Sequence, residues 1–370
     1  MALLLDLITN LVKIPSKTGN LKAMHECIDY CKNFFNKKNV FIKETIKNNQ
    51  PSVLISNVDT MNFDVLQICH IDVVPADKNM FNPTLKDGKL YGRGTQDMKV
   101  FVATGMKLLE NVLNDNIDIK YGVLIVSDEE TGGFDGAKYW VEDMKLRSKV
   151  VLDPDGGESI NTIVKQAKGV LIVKLISKGK AAHGSKPWLG VDANENLFKV
   201  IQNLRKEIPY YSEVNCPKDT WVTTFHVAKI KGGSAMNKVA DEAEAQLDFR
   251  LNDEYTRKNI EKLLEESLVD GVTYEIELEG KAVLNKEDDE YIKLYSKCIQ
   301  DEIKDSEVIF INEDAASDGR YFSSKNTTVI THQSDGGGAH SEEEWVNIDS
   351  LHQLEKIQTN FLKQLSKKNK

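Results

Sequence analysis

The chain has 370 residues, enough for a large core and for two domains. It carries 48 Lys and Arg against 57 Asp and Glu, a net charge of −9, with 41% hydrophobic residues. This globular, acidic balance argues against nucleic acid or an anionic membrane surface as the main partner. No apolar run approaches the ~20 residues that a membrane span needs.

At the N-terminus, Leu4, Leu5, Ile8, Leu11 and Val12 fit one face of a helix that ends before Pro15. The segment lacks the basic start of a secretory signal, and Asp6 interrupts its apolar run. Five cysteines, Cys27, Cys31, Cys69, Cys216 and Cys298, show no CxxC spacing. They read as reduced, mostly buried thiols of a cytoplasmic protein.

"FDVLQICH" reads as a buried strand ending at His70, and a helix is expected from about Met98. "IKYGVLIV" is a second strand, running up to Ser127, and "SKVVL" a third. This alternation predicts an α/β fold with a mostly parallel sheet covered by helices. Ligands bind outside the carboxyl ends of such strands. His70, the run Asp128, Glu129 and Glu130, and the pair Asp153 and Asp155 all sit at such ends.

The middle of the chain reads differently. "KGVLIVKLIS", "WVTTFHVAKI", "DEAEAQLDFRL" and "VTYEIELEG" are strands, while "NENLFKVIQNLRKEI" and "TRKNIEKLLEESL" are helices. Their order, βαββαβ, predicts a ferredoxin-like unit over residues 165–280. A helix over 289–303, short strands in "EVIFI" and "TTVIT", and a closing helix after Asp349 restore the α/β pattern. The small unit is therefore expected as an insertion, with residues 1–164 and 281–370 forming the larger domain.

The sequence contains no G-x-S-x-G elbow, no Walker A loop and no G-x-G-x-x-G. In "HIDVVP", Asp72 follows His70 by two residues, and a metal-bound histidine usually gives its other ring N–H to a carboxylate. A core histidine beside an unrelated aspartate is the competing reading. In "GRGTQDMK", Asp97 stands in a glycine-rich loop before a helix. Helix capping explains that residue alone, but not why the loop meets the strand ends. In "SDEETGG", three adjacent carboxylates follow a buried strand, where like charges raise each other's pKa or recruit a cation. One could hold metal while its neighbour acts as general base. "LDPDGGES" adds Asp153 and Asp155, and "GGGAHSEEEW" delivers His340 behind three glycines. Imidazole with carboxylate suits zinc, with cobalt or manganese as substitutes. Five ligands with one bridging carboxylate suit two metals ~3.5–4 Å apart.

As an ordered set, "HIDVVP", "GRGTQDMK", "SDEETGG", "AAHGSKPWLGVDA", the segment from Asn237 to Arg250, and "GGGAHSEEEW" resemble one family. It comprises the zinc-dependent amidohydrolases and exopeptidases that include succinyl-diaminopimelate desuccinylase, acetylornithine deacetylase, aminoacylase, peptidase T and glutamate carboxypeptidase. The resemblance runs from "LVKIPSKTGN" to "AHSEEEWVNID", nearly the whole chain. It implies two Zn2+ ions, with His70 on one, His340 and Glu130 on the other, and Asp97 bridging. It implies Asp72 as the residue orienting His70 and Glu129 as the general base. The fifth ligand is Asp155 or Asp153, and the "DGG" pattern favours Asp155. Asp97–Met98 becomes a candidate cis peptide.

The same resemblance makes the insert a lid and dimerisation domain, and the protein a homodimer. His183 would donate to the oxyanion, and Asn237 and Arg250 would contact a substrate carboxylate. "SDGRYF" also resembles a family segment near the site, and neither Arg320 nor Asp128 receives a role. The implied activity is hydrolysis of an amide or peptide bond in a small substrate with a free carboxylate, of dipeptidase or exopeptidase type. The alternative is an N-acyl amino-acid deacylase. The partner is then a small peptide or N-acyl amino acid, with no nucleic acid and no membrane.

Overall fold

In the computed structural model, which describes residues 2–212, 214–215, 221–304, 306–324 and 326–368, four short apolar runs form the centre of the larger sheet. Tyr121–Val126, Asn62–His70, Arg147–Asp153 and Thr328–Thr331 lie side by side and parallel. Val65, Ile68, Val123, Ile125, Val150 and Ile330 are buried along them. Such runs satisfy strands covered on both faces. Cys27, Cys31, Cys69 and Cys298 are free and buried, while Cys216 lies outside the described residues.

The margins of this sheet are antiparallel, so it is mixed as a whole. Gln50–Ser56 pairs with Tyr121–Val126 and forms a hairpin with Phe41–Lys47. Thr162–Ala167 meets Thr328–Thr331 antiparallel. Asn48 and Asn49 turn the hairpin with φ of 46° and 69°. Both angles lie in the left-handed region that two-residue hairpin turns use. The outer strand, FIKETIK, is almost wholly exposed and carries little apolar pattern, which hid it in the sequence.

Helices Ala2–Lys13, Leu21–Phe34, Lys99–Asn114, Glu290–Glu302 and Ile348–Lys368 bury their apolar faces in the same core. Leu4, Ile8, Leu11 and Val12 are buried along the first of them. Its carboxyl end is closed by a buried lysine. Lys99 Nζ donates to the carbonyls of Leu11 at 3.1 Å and Ile14 at 2.5 Å. A cation at a helix carboxyl end satisfies carbonyls left without intrahelical partners.

Ala167–Leu284 with Asp314–Ala316 forms a second compact unit. Its strands run in the order Thr224–Gly232, Glu242–Leu251, Gly169–Lys178, Val272–Gly280, every neighbouring pair antiparallel. With helices Ala193–Glu207 and Arg257–Ser267 this is the βαββαβ arrangement. Alternate residues of Glu242–Leu251, from Ala243 to Leu251, face the core. Asp314 reaches this unit through Lys168, at 2.6 Å.

One buried histidine gives the larger unit a built-in acid sensitivity. His332 follows the strand Thr328–Thr331 and is buried. Its Nε2 lies 2.7 Å from the Ile160 carbonyl, which can only accept, so Nε2 carries the proton. Nδ1 accepts from the Tyr295 hydroxyl at 3.0 Å, so the ring is neutral. Burial drives its pKa down to about 4. The unfolded value is about 6.5, so the unfolded chain binds more protons between the two and stability falls as pH drops through that window. Denaturant titrations of metal-free protein should lose up to ~3 kcal/mol from this group between pH 7 and pH 4. His332→Phe should lose less over the same range, and an equal loss in that variant would contradict the assignment.

Candidate metal centre

The site assembles at the carboxyl ends of the central strands. His70 is the last residue of Asn62–His70. Its Nδ1 lies 2.9 Å from the backbone carbonyl of Asp72, which can only accept. Nδ1 therefore bears a proton, and Nε2 is the ring nitrogen turned toward Asp97. The Asp72 carboxylate is farther from Nδ1, at 3.5 Å, so the backbone of Asp72 orients the ring more closely than its side chain does.

His70 Nε2 lies 2.9 Å from Asp97 Oδ1 and 3.9 Å from Asp155 Oδ2. Both His70 Nε2 and Asp97 Oδ1 are buried, and neither makes an aligned hydrogen bond. Two buried polar atoms in contact, neither satisfied by an aligned hydrogen bond, fit a cation faced by both. The other Asp97 oxygen, Oδ2, lies 2.9 Å from His340 Nε2, which is 3.4 Å from Glu130 Oε2. Two groups of metal-binding geometry result: His70, Asp97 and Asp155, then Asp97, Glu130 and His340. Asp97 belongs to both. The donor set, two imidazoles and three carboxylates, suits zinc.

The electrostatics agree. Burial, then repulsion from Asp97, pushes the Asp155 carboxyl well above the usual range. Burial and Asp155 do the same to Glu129, and burial raises Glu130. Burial also opposes ionisation of Asp97, but the contacts from His340 and His70 outweigh it and lower its pKa. A crevice that crowds carboxylates in this way is relieved by a cation.

Asp153 and Asp155 have different surroundings. Asp153 accepts the Ser317 hydroxyl at 2.5 Å, and burial raises its pKa to about 7. Asp155 stands in the group with His70 and Asp97.

The run after Tyr121–Val126 is a short 3-10 turn, Glu129–Thr131. The Asp72 carboxylate accepts the backbone N–H of Glu129 at 3.3 Å and of Glu130 at 3.1 Å, fixing the turn. Asp128 braces the loop from the other side. Its Oδ2 accepts the N–H groups of Asp135 at 2.7 Å and Gly136 at 3.1 Å. Gly133 has φ of 65°, and a Cβ there would collide with Asp318 Oδ1. Glu129 Oε1 lies 3.7 Å from Arg320 Nη1, and Arg320 Nη2 donates to the Gly132 carbonyl at 2.9 Å. A mostly buried carboxyl with a raised pKa beside candidate metal ligands suits proton transfer.

Two residues beside this site, Arg93 and Glu344, take their place from partners distant in sequence. The Glu344 carboxylate accepts the backbone N–H groups of Gly94, Gln96 and Asp97 at 2.9, 2.8 and 3.1 Å. It also meets Arg93 Nη1 at 2.5 Å. Glu344 ends the run Glu342, Glu343 and Glu344, which reads as a solvated surface. Its place just before the buried Val346 was the available clue. The Asp97–Met98 peptide is cis.

In the second unit, His183 is exposed and its Nδ1 lies 2.8 Å from the Ser185 hydroxyl. Asn237 stands beside it, its carbonyl accepting the Gly184 N–H at 2.7 Å. Arg250 lies on Glu242–Leu251. Its Nε and Nη2 donate to the two oxygens of Asp248 at 3.0 and 3.1 Å, so one edge of its fork already holds a carboxylate.

Comparison with known proteins follows the same lines. The model of peptidase family M20/M25/M40 matches residues 68–364. An uncharacterised metallohydrolase of Methanocaldococcus jannaschii is 30% identical over 251 residues, covering 64% of this chain and 58% of that protein. A succinyl-diaminopimelate desuccinylase of Thioalkalivibrio sulfidiphilus is 27% identical over 314 residues, covering 80% and 82%. Among solved structures, a tripeptidase of Staphylococcus aureus superposes with a TM-score of 0.77 at 22% identity, covering 99% of this chain and 98% of that one. The family match takes in all the candidate metal ligands named above, so the chain belongs to peptidase family M20/M25/M40 and is a metal-dependent hydrolase.

Proposed function

We propose that the protein is a di-zinc exopeptidase or dipeptidase that cleaves an amide bond in a small substrate bearing a free carboxylate. The observation that carries this reading is Asp97, whose two oxygens each face a different histidine at 2.9 Å. His70, Asp97 and Asp155 would hold one Zn2+, and Asp97, Glu130 and His340 the other, with Co2+ or Mn2+ as substitutes. Bound zinc supplies carbonyl polarisation and a lowered pKa for water. Glu129 takes the proton from the attacking water and returns it to the leaving amine nitrogen. Asp72 holds His70 and the Glu129–Thr131 turn in place for that transfer.

By resemblance, the second unit is the lid and dimerisation unit of a homodimer. His183 donates to the oxyanion, and Asn237 and Arg250 hold the substrate carboxylate. A cytoplasmic location accords with the four buried free thiols. Among the described residues no helix is long and apolar enough to cross a membrane.

The deacylase reading keeps a place because a desuccinylase is among the sequence relatives. Dipeptides and N-acetyl or N-succinyl amino acids, assayed side by side on zinc-loaded protein, separate the two. Dipeptide turnover should dominate, and a chelator should abolish it until zinc is restored. Turnover confined to N-acyl substrates would favour the deacylase, and turnover undiminished by metal removal would overturn both.

Glu129→Gln isolates the proton step. The variant should keep the zinc content of the parent while kcat falls by at least ~10²-fold. Near-normal turnover with zinc in place would remove Glu129 as the base.

A further inference from the structure

The contact between Arg93 and Glu344 joins two loops distant in sequence. Glu344 is 1% exposed. One of its oxygens gathers three backbone N–H groups of the segment from Gly94 to Asp97, and the other meets Arg93. Arg93 Nη2 continues to the Ser341 carbonyl at 3.1 Å, and the Gly92 N–H returns to the Glu344 carbonyl at 3.1 Å. A buried carboxylate with several charge-assisted donors is a strong and directional anchor.

The two loops carry Asp97 and His340, and these residues differ in their other support. Asp97 is followed by Met98 and Lys99, both buried, and Lys99 is tied to the Leu11 and Ile14 carbonyls. His340 follows three glycines, has a side chain 56% exposed and takes a φ of 64°. The hydrogen bonds that Ser341 beside it donates are local, its N–H and hydroxyl both running to the Gly338 carbonyl at 2.9 and 2.8 Å. Fixing an exposed side chain on a glycine-rich loop costs conformational freedom unless that loop is already anchored.

We propose that the Arg93–Glu344 clasp is a positioning device that sets His340 against Asp97 and Glu130. The metal position formed by those three residues then depends on the clasp. The position formed by His70, Asp97 and Asp155 depends on it less, because strand ends and the ties of Lys99 support it besides the Asp97 N–H bond to Glu344. This inference rests on the two-metal reading.

The test is zinc binding, read by chelator competition and elemental analysis. It uses the full chain and the variants Glu344→Gln, His340→Ala and the double variant of both. The parent should bind two zinc ions. Glu344→Gln should weaken the site containing His340 about 10- to 100-fold and the site containing His70 far less. Adding Glu344→Gln to His340→Ala should weaken the remaining site far less than Glu344→Gln alone weakens the site containing His340, a difference that general destabilisation would not give. Should Glu344→Gln fail to fold, Arg93→Lys keeps the charge, removes the reach to Ser341, and should show the same selective weakening. Two sites of parental affinity, or equal weakening of both, would overturn the clasp. A parent chain that binds fewer than two zinc ions would overturn the two-metal reading itself, and the clasp with it.

Discussion

The constraint on which the larger unit turns is a single carboxylate shared between two imidazoles. Asp97 places one oxygen against His70 and the other against His340. Glu129, Glu130 and Asp155 crowd the same crevice, and burial raises the pKa of each. Such a cluster persists in a fold only where something offsets its repulsion. Two histidines offset part of it, and a bound cation facing these atoms would offset more.

Much of the surrounding structure keeps those atoms from relaxing apart. Parallel strands carry His70, and the residues leading to Glu129, Glu130 and Asp155, to one edge. Asp72 spends its carboxylate on the Glu129 and Glu130 amides and its carbonyl on His70. Asp128, in the same acidic run, braces the loop that follows. A Cβ at Gly336 would collide with Gln96 Oε1, whose amide also bonds Gln333, so the glycine there permits the close approach of the His340 loop. The candidate metal ligands and the carboxyl proposed as the base thus all lie in the first unit. The residues that resemblance links to the substrate carboxylate lie in the second.

The parts legible in the sequence are those that depend on local pattern. The apolar runs ending at His70 and Val126 announce buried strands, and the βαββαβ order is plain from alternating periods. His70, Asp97, Glu130 and His340 stand out because each sits in a motif whose chemistry is written within a few residues. What escaped is settled by distant partners or by backbone. The hairpin Phe41–Lys47 with Gln50–Ser56 has an exposed outer strand with no apolar stripe. Glu344 looks like one more surface glutamate until Arg93 and three amides converge on it. The Asp72 carbonyl, rather than its carboxylate, lies nearest the His70 ring, a distinction no side-chain spacing encodes. The Arg250–Asp248 pair was readable, since residues two apart on a strand share a face.

Zinc-edge anomalous diffraction from crystals of the zinc-loaded protein tests the central claim most directly. The account predicts two peaks ~3.5–4 Å apart with the two oxygens of Asp97 between them, as two-metal hydrolase sites require. One would be bounded by His70 and Asp155, the other by Glu130 and His340. A single peak, or zinc held by residues that exclude Asp97, would contradict it.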